Sequence, residues 1–416
     1  MKKLLIKNIK LLVQVEDAPK HVVRGLSMNT LPCIENAYLA IENDTIVDYG
    51  SMSDWQGISD WSNLEIIDAE GKIVLPTFCD SHTHAVYAGS REQEYVDRLN
   101  GLTYQEIALR GGGILNSAAR MATATDEELY TDAYARIQQL IRLGTGAIEI
   151  KSGYGLSLET ELKMLRVIQR LKQNLPIPVK STFLGAHAIP PQYKDDRGGY
   201  IDLICNQMLP QIHAEQLADY CDVFCEENYF TPTETIRILS VAKNYGLQPK
   251  VHANQLAYSG GVQAGVKVDA VSVDHLEYVG DAEIEALTKS NTIPTILPGA
   301  QYFLGLPNPP VRAMLAADLP IAIASDYNPG SCPNGNMWWM LQHACVAYKI
   351  TPNEAFNAST INSAYAMGIS QTHGSICPGK KANFIITAPV PSLDYLLYNF
   401  GMNNVEAVYI NGKKQV

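Results

Sequence analysis

Between Thr77 and Gly368 the chain repeats one pattern, a short β-rich run followed by a longer stretch of helical periodicity, which restricts the fold to βα units around a parallel sheet. The runs are IVLPTFCDSHTH (73–84), GAIEIKSGYG (146–155), VKSTFLGAHA (179–188), DVFCEEN (222–228), PKVHANQ (249–255), DAVSVDHLE (269–277), TIPTILPG (292–299) and PIAIASDYN (320–328). Eight strands joined by helices predict a closed (β/α)8 TIM barrel. Between them, LETELKMLRVIQRLKQ (158–173) places Leu162, Leu165, Ile168 and Leu171 at helical spacing, with Glu159 and Thr160 suited to its first turn. Gly198-Gly199 reads as an exposed loop after the third strand.

The 416 residues exceed the roughly 250 of a bare barrel and leave about 150 for insertions or a second small domain. Residues 1–74 and 375–416 read as short alternating strands with turns at Glu42-Asn43-Asp44 and Ile410-Asn411-Gly412. They are expected to meet in one small β-sandwich domain, with 75–374 as the catalytic barrel.

Composition narrows the partners. No apolar run approaches the roughly 20 residues of a membrane span, and Lys7 and Lys10 break up the N-terminal stretch, which reads as a strand rather than a signal peptide. The net charge is −11 and no Lys/Arg cluster is present, so nucleic acid is not an expected partner. Eight cysteines without a CxxC pair point to reduced thiols in the cytoplasm, and Cys221 and Cys225 are read as packing residues. Gly111-Gly112-Gly113 follows no strand and precedes no P-loop lysine, so it is not read as a phosphate cradle.

In such a barrel the chemistry sits where strands end. The first expected strand ends in His82-Thr83-His84, the third in His187, the fifth in His252, the sixth in His275 and the eighth in Asp326. Residues two apart on a strand share a face, so His82 and His84 can grip one cation. His252 and Asp326 would complete a site for one divalent metal ion, zinc or iron, with a position open for water. Any one such histidine alone would be an ordinary hydrogen-bonded residue, and His21, His213, His343 and His373, in helices or loops, are read that way. A divalent ion acidifies water into a nucleophile, so hydrolysis or deamination is expected. Asp326 is placed to take the water's proton as well, and His275 to polarise the attacked carbonyl or steady its oxyanion. Asp80 is either a support behind the ligands or an ordinary structural carboxylate.

This constellation resembles the amidohydrolase superfamily. Within it, HTHAVYAGSREQEY (82–95), TYQEIALRGGGI (103–114), EIKSGYGLSLETELKML (149–165), TFLGAHAIPPQY (182–193), KVHANQL (250–256), SVDHLEY (272–278) and SDYNPGSCP (325–333) resemble the imidazolonepropionase family over nearly the whole chain. The resemblance implies the same four metal ligands and a catalytic role for His275. It also implies that Arg91, Tyr104, Tyr154, His187, Gln255, Asn328, Gly330 and Ser331 lie near the substrate. The implied reaction opens 4-imidazolone-5-propanoate to N-formimidoyl-L-glutamate, and a homodimer is a family-level expectation.

Arg91 suits a propionate group through its planar donors, although from the residues alone a surface charge paired with Glu92 or Glu94 is the plainer reading. Tyr154 lies in SGYG, where glycines let a loop approach a ligand. The chain departs from the family at Pro76-Thr77, at Ser90, at 334–339, and at Gln255, where some relatives carry Glu. Hydrogen bonding to the ring therefore suits Gln255 better than general-base work. The metal set does not choose the substrate, so a related deaminase or hydrolase of another small heterocycle is the nearest rival. A non-catalytic scaffold barrel is the rival from a different class.

Overall fold

The computed structural model describes residues 2–58 and 60–416, with the backbone alone at 104, 105 and 108. Barrel strands one to eight are Phe78–Thr83, Thr145–Lys151, Val179–Ala186, Tyr220–Cys225, Gln248–Ala253, Ser272–His275, Ile293–Ile296 and Ala322–Ile323. Each pairs in parallel with the next in chain order, as expected of βα units. The strands are buried on both faces, and that is why their sequences show apolar runs rather than alternation.

Strand eight is short, and the ring closes beyond it through the future site. The Asp326 N–H donates to the His82 carbonyl and the His84 N–H to the Tyr327 carbonyl, both at 2.9 Å. Asp80 clasps the same seam, accepting from the Ser325 N–H at 2.9 Å and its hydroxyl at 2.6 Å. Complete burial pushes the Asp80 carboxyl up to about 7. Of the two readings offered for Asp80, these bonds describe the structural one.

The first expected run, 73–84, contains two strands. Ile73–Pro76 pairs with Phe384–Thr387 and with Lys3–Val13 in a second sheet, and the chain changes partners at Thr77. There the Thr77 N–H donates to the Asn383 carbonyl, and the next residue, Phe78, donates to Gly144. Gly146 makes room for the Thr77 side chain, since a β-carbon on Gly146 would stand 2.0 Å from its hydroxyl.

The second sheet joins both ends of the chain in the order Lys413–Lys414, Val405–Ile410, Phe384–Thr387, Ile73–Pro76, Lys3–Val13, Cys33–Glu42 and Thr45–Ser51, with Leu64–Asp68 also on Lys3–Val13. Alternate residues, among them Ile6, Leu39, Ile41, Phe384 and Tyr409, bury one core of their own. The two expected turns close hairpins, Asn411 and Gly412 at φ 50° and 69° and Asn43 at φ 55°.

The helix over Leu158–Asn174 starts where its periodicity places it, with Glu159 and Thr160 in the first turn and Ser157 as the cap, accepting from the Thr160 N–H. Gly198-Gly199 is not a loop; Asp196 caps a helix over Arg197–Leu203 by accepting from the Gly199 N–H at 2.9 Å. No helix among the described residues is long and apolar enough to cross a membrane.

Candidate active site

His82, His84 and His252 converge at the mouth of the barrel, each offering a nitrogen within 4.8 Å of the others'. Asp326 Oδ1 lies 3.4 Å from His82 Nε2 and 3.5 Å from His84 Nε2. Donor atoms that each lie about 2.1 Å from one ion stand roughly 3–3.5 Å from their neighbours, so these spacings suit donors that would share one cation. The fit extends to the atoms' needs. Nε2 of His82 and Nε2 of His252 are buried without a hydrogen-bond partner, a costly condition that a metal ion relieves. Burial, followed by Lys151 and the surrounding histidines, holds the His82 and His84 imidazoles well below the ordinary histidine range, in the neutral form that ligation requires.

Behind the ligands lies a layer of charge that the strand patterns concealed. Asp274 Oδ2 is 2.6 Å from His82 Nδ1, and Asp222 Oδ2 is 3.0 Å from His252 Nδ1. Each carboxylate can receive an Nδ1 proton and leave Nε2 as the ligating lone pair. Lys151 Nζ sits 2.8 Å from Asp222 and 3.7 Å from Asp274, and also 2.7 Å from Glu149, which Lys250 meets from the other side. Burial would raise Asp222, but His252 and Lys151 hold it low; burial would lower Lys151, but Asp222 and Glu149 hold it high. The sequence did carry a signal for this layer: Glu149 and Lys151, and Lys250 and His252, are polar pairs two apart within otherwise apolar strands, so they share the inward face.

Four strand-end residues adopt left-handed backbone: Asn254 (φ 56°), His275 (φ 88°), Leu276 (φ 74°) and Asp326 (φ 54°). Such strain in non-glycine residues gathers at functional sites. The bend at His275 turns its ring toward His252 and His82, with centroids 5.2 and 5.6 Å apart. Burial would depress His275, but the facing Glu277 carboxylate raises it.

His187 closes one side of the pocket, its ring 5.4 Å from those of both His84 and Tyr154. Its Nδ1 lies 2.9 Å from the Gly153 carbonyl, which can only accept, so Nδ1 carries the proton and Nε2 is the acceptor. Burial, helped by His252, drops His187 to about 3 and keeps it neutral. Tyr154 rides on a loop held by buried Glu161, which accepts from the amides of Gly153, Gly155 and Leu156. Gln255 also lines the pocket, on a loop whose Leu256 N–H donates to Glu226 at 2.8 Å.

Arg91 is buried at the pocket wall and also paired with Glu94, which meets Nε at 2.9 Å and Nη2 at 2.6 Å. The two readings of Arg91 are thus compatible, although the pair is buried rather than solvated. Asn328 and Ser331 line the same pocket, and Asn328 shapes its own loop, accepting from the N–H groups of Gly330 at 2.8 Å and Ser331 at 2.7 Å. Gly330 stands against the Arg91 guanidinium, where a side chain would collide. The Tyr104 side chain lies outside the described residues.

Apolar wall residues Ile114, Phe224, Leu256 and Leu304 were not anticipated, because nothing in a single apolar residue distinguishes a pocket wall from core. Cys221 and Cys225 are buried in the main core. The remaining histidines have ordinary partners: His213 Nδ1 meets the Tyr245 carbonyl at 2.8 Å, His343 stacks on Trp339, His21 meets Gln371 and His373 meets Thr372.

The model of the amidohydrolase family matches residues 73–414. An imidazolonepropionase of Christiangramia forsetii is 54% identical over 99% of both chains, and one of Alkaliphilus oremlandii is 41% identical over 98% of this chain and 96% of its own. Among solved structures, E. coli guanine deaminase superposes with a TM-score of 0.76 at 14% identity over 100% of this chain and 99% of its own. A triazine hydrolase variant superposes with a TM-score of 0.75 at 16% identity, over 99% and 94%. At those identities the structural likeness speaks for the fold alone.

Proposed function

The chain belongs to the amidohydrolase family and, within it, to the imidazolonepropionases, and from that premise we propose that the strand-end cluster is its catalytic centre. The enzyme hydrolyses the cyclic amide 4-imidazolone-5-propanoate to N-formimidoyl-L-glutamate, a step of histidine degradation. The assignment of residues rests on one observation above the others, the approach of Asp326 Oδ1 to within 3.4 and 3.5 Å of two imidazole nitrogens.

His82, His84, His252 and Asp326 would hold one divalent ion, zinc or iron. Such an ion acidifies water enough to make it a nucleophile at neutral pH. Asp326 receives the water's proton as its oxygen bonds to the ring carbonyl carbon, and His275 steadies the negative charge that develops on the carbonyl oxygen. The carbonyl C–N bond then breaks, its electron pair stays on nitrogen, and Asp326 returns the proton there. His187, with a lone pair at Nε2, accepts from a ring N–H, while Gln255 and the Tyr154 phenol complete the hydrogen bonds to the ring. Because Glu94 takes the Nε/Nη2 edge of Arg91, the propionate is met at the Nη1/Nη2 end. Asn328, Gly330 and Ser331 shape the wall that keeps Arg91 in place, and Tyr104 is assigned to the substrate side.

The free cysteines suit a cytoplasmic setting. Exposed Tyr302, Val346 and Tyr398, on and beside the helix over Met337–Tyr348, suit a homodimer contact. We divide the chain into a small domain of residues 1–74 and 375–416 and a catalytic domain of residues 75–374; an apolar core drawn wholly from the two chain ends, among them Ile6, Leu39, Val74, Phe384 and Tyr409, supports the division. The test of function is to generate imidazolone propionate in situ with urocanase, add the protein and follow product by mass spectrometry. Formimidoyl-glutamate formed faster than in the control is expected, and its absence would overturn the assignment.

A further inference from the structure

Glu277 is a buried carboxylate that the reaction as described does not use. Its side chain is 1% exposed, and neither oxygen has a hydrogen-bond partner among the described residues. The other buried acids near the site differ: Glu161 accepts from three backbone amides, and Glu226 from the amides of Glu227 and Leu256. An unpartnered buried carboxylate is costly and calls for an explanation. The nearest charged partner is Nδ1 of His275, 3.8 Å from Oε1, and that nitrogen is also buried without a hydrogen bond.

The backbone fixes this juxtaposition. His275 and Leu276 at φ 88° and 74° fold the strand end back. The Leu276 N–H donates to the Ala253 carbonyl at 3.2 Å and the Tyr278 N–H to the Asn254 carbonyl at 2.9 Å, so Glu277 is anchored on both sides. A shift of about 1 Å closes the gap to the length of a charge-assisted hydrogen bond. Catalytic hydrogen bonds are often long before substrate binds and tighten in the complex.

We infer that Glu277 is a positioning residue for the reaction, its carboxylate accepting the Nδ1–H of His275 and fixing the ring so that an Nε2–H points at the reacting oxygen. The inference rests on the role of His275 given above. A catalytic group held in orientation by a further residue is a general arrangement. The histidine acts on the substrate; Glu277 acts only through it.

The test is a double-mutant cycle on the metal-loaded enzyme, with kcat, KM, metal content and melting temperature measured for Glu277→Leu, Glu277→Gln, His275→Ala and each combination. Glu277→Leu should lower kcat by about 10- to 100-fold with KM and bound metal unchanged. Glu277→Gln, which keeps an accepting oxygen, should lose only a few-fold, and neither change should matter in the His275→Ala background. Parental kcat in Glu277→Leu, or the same proportional loss with the imidazole already removed, would overturn the inference. If the leucine variant does not fold, the glutamine variant in the same cycle decides. Parental kcat in His275→Ala would instead overturn the role of the histidine, a separate failure.

Discussion

Gly330→Ala probes the carboxylate anchor without touching a reacting group. A β-carbon on Gly330 would stand 2.1 Å from Arg91 Nη1, 2.5 Å from Cζ and 3.0 Å from Nη2. Tolerable contact begins near 3.4 Å, so the guanidinium must retreat by about 1.3 Å. It cannot swing independently, because Glu94 holds it at 2.9 and 2.6 Å inside a buried wall. Gly330 is not in the left-handed region, so alanine adds no backbone strain. The displaced cation should lose one charge-assisted hydrogen bond to the propionate, about 1.5–3 kcal/mol, which lowers kcat/KM by about 10- to 150-fold. Initial rates against substrate concentration measure this, with thermal melts expected to fall by a few degrees as the buried wall is overpacked by about 1–3 kcal/mol. Parental kcat/KM, or an equal loss on an analogue lacking the carboxylate, would refute the anchor.

Gly155→Ala should damage the opposite wall, since its β-carbon would stand 2.4 Å from the Glu161 backbone nitrogen, which cannot yield; about 1–3 kcal/mol of stability by urea melts and a lower kcat/KM are expected as the Tyr154 loop shifts. His373 predicts a pH dependence remote from the chemistry. Burial, then Lys380 and Lys381, lowers it from 6.5 to about 4, so between those values the unfolded chain binds the extra proton and stability falls as pH falls. His373→Gln should flatten the decline of melting temperature between about pH 6.5 and 4, by the equivalent of about 1–3 kcal/mol at the acid end, and an unchanged profile would exclude this histidine as its source.

Much of the barrel was legible because a parallel sheet buried on both faces leaves apolar runs separated by helical periodicity. The strand-end residues His82, His84, His252, His275 and Asp326 could be placed because the C-terminal ends of barrel strands form one rim, and the structure brings them together there. What stayed hidden depended on contacts distant in sequence. The split of 73–84 at Thr77 is set by Asn383, more than 300 residues away, and no local propensity marks it. The Glu149, Lys151, Asp222, Lys250 and Asp274 layer is marked only by polar residues two apart on inward-facing strand positions, a fainter signal than the apolar runs around them. Arg91 offered two readings, and only the packing of Gly330 and Glu94 around it shows that an ion pair and a pocket position coexist. The Glu277 contact arises from a left-handed turn at His275, a conformation that no preference of histidine announces.

Metal content measured alongside turnover is the most direct test of the proposed centre. Purified protein should carry about one zinc or iron ion per chain, lose activity when a chelator strips it, and regain activity on adding either ion back. His252→Ala and Asp326→Ala should each retain little metal and no measurable turnover. Full turnover by protein free of divalent metal, or undiminished metal in both variants, would contradict a cation shared by His82, His84, His252 and Asp326.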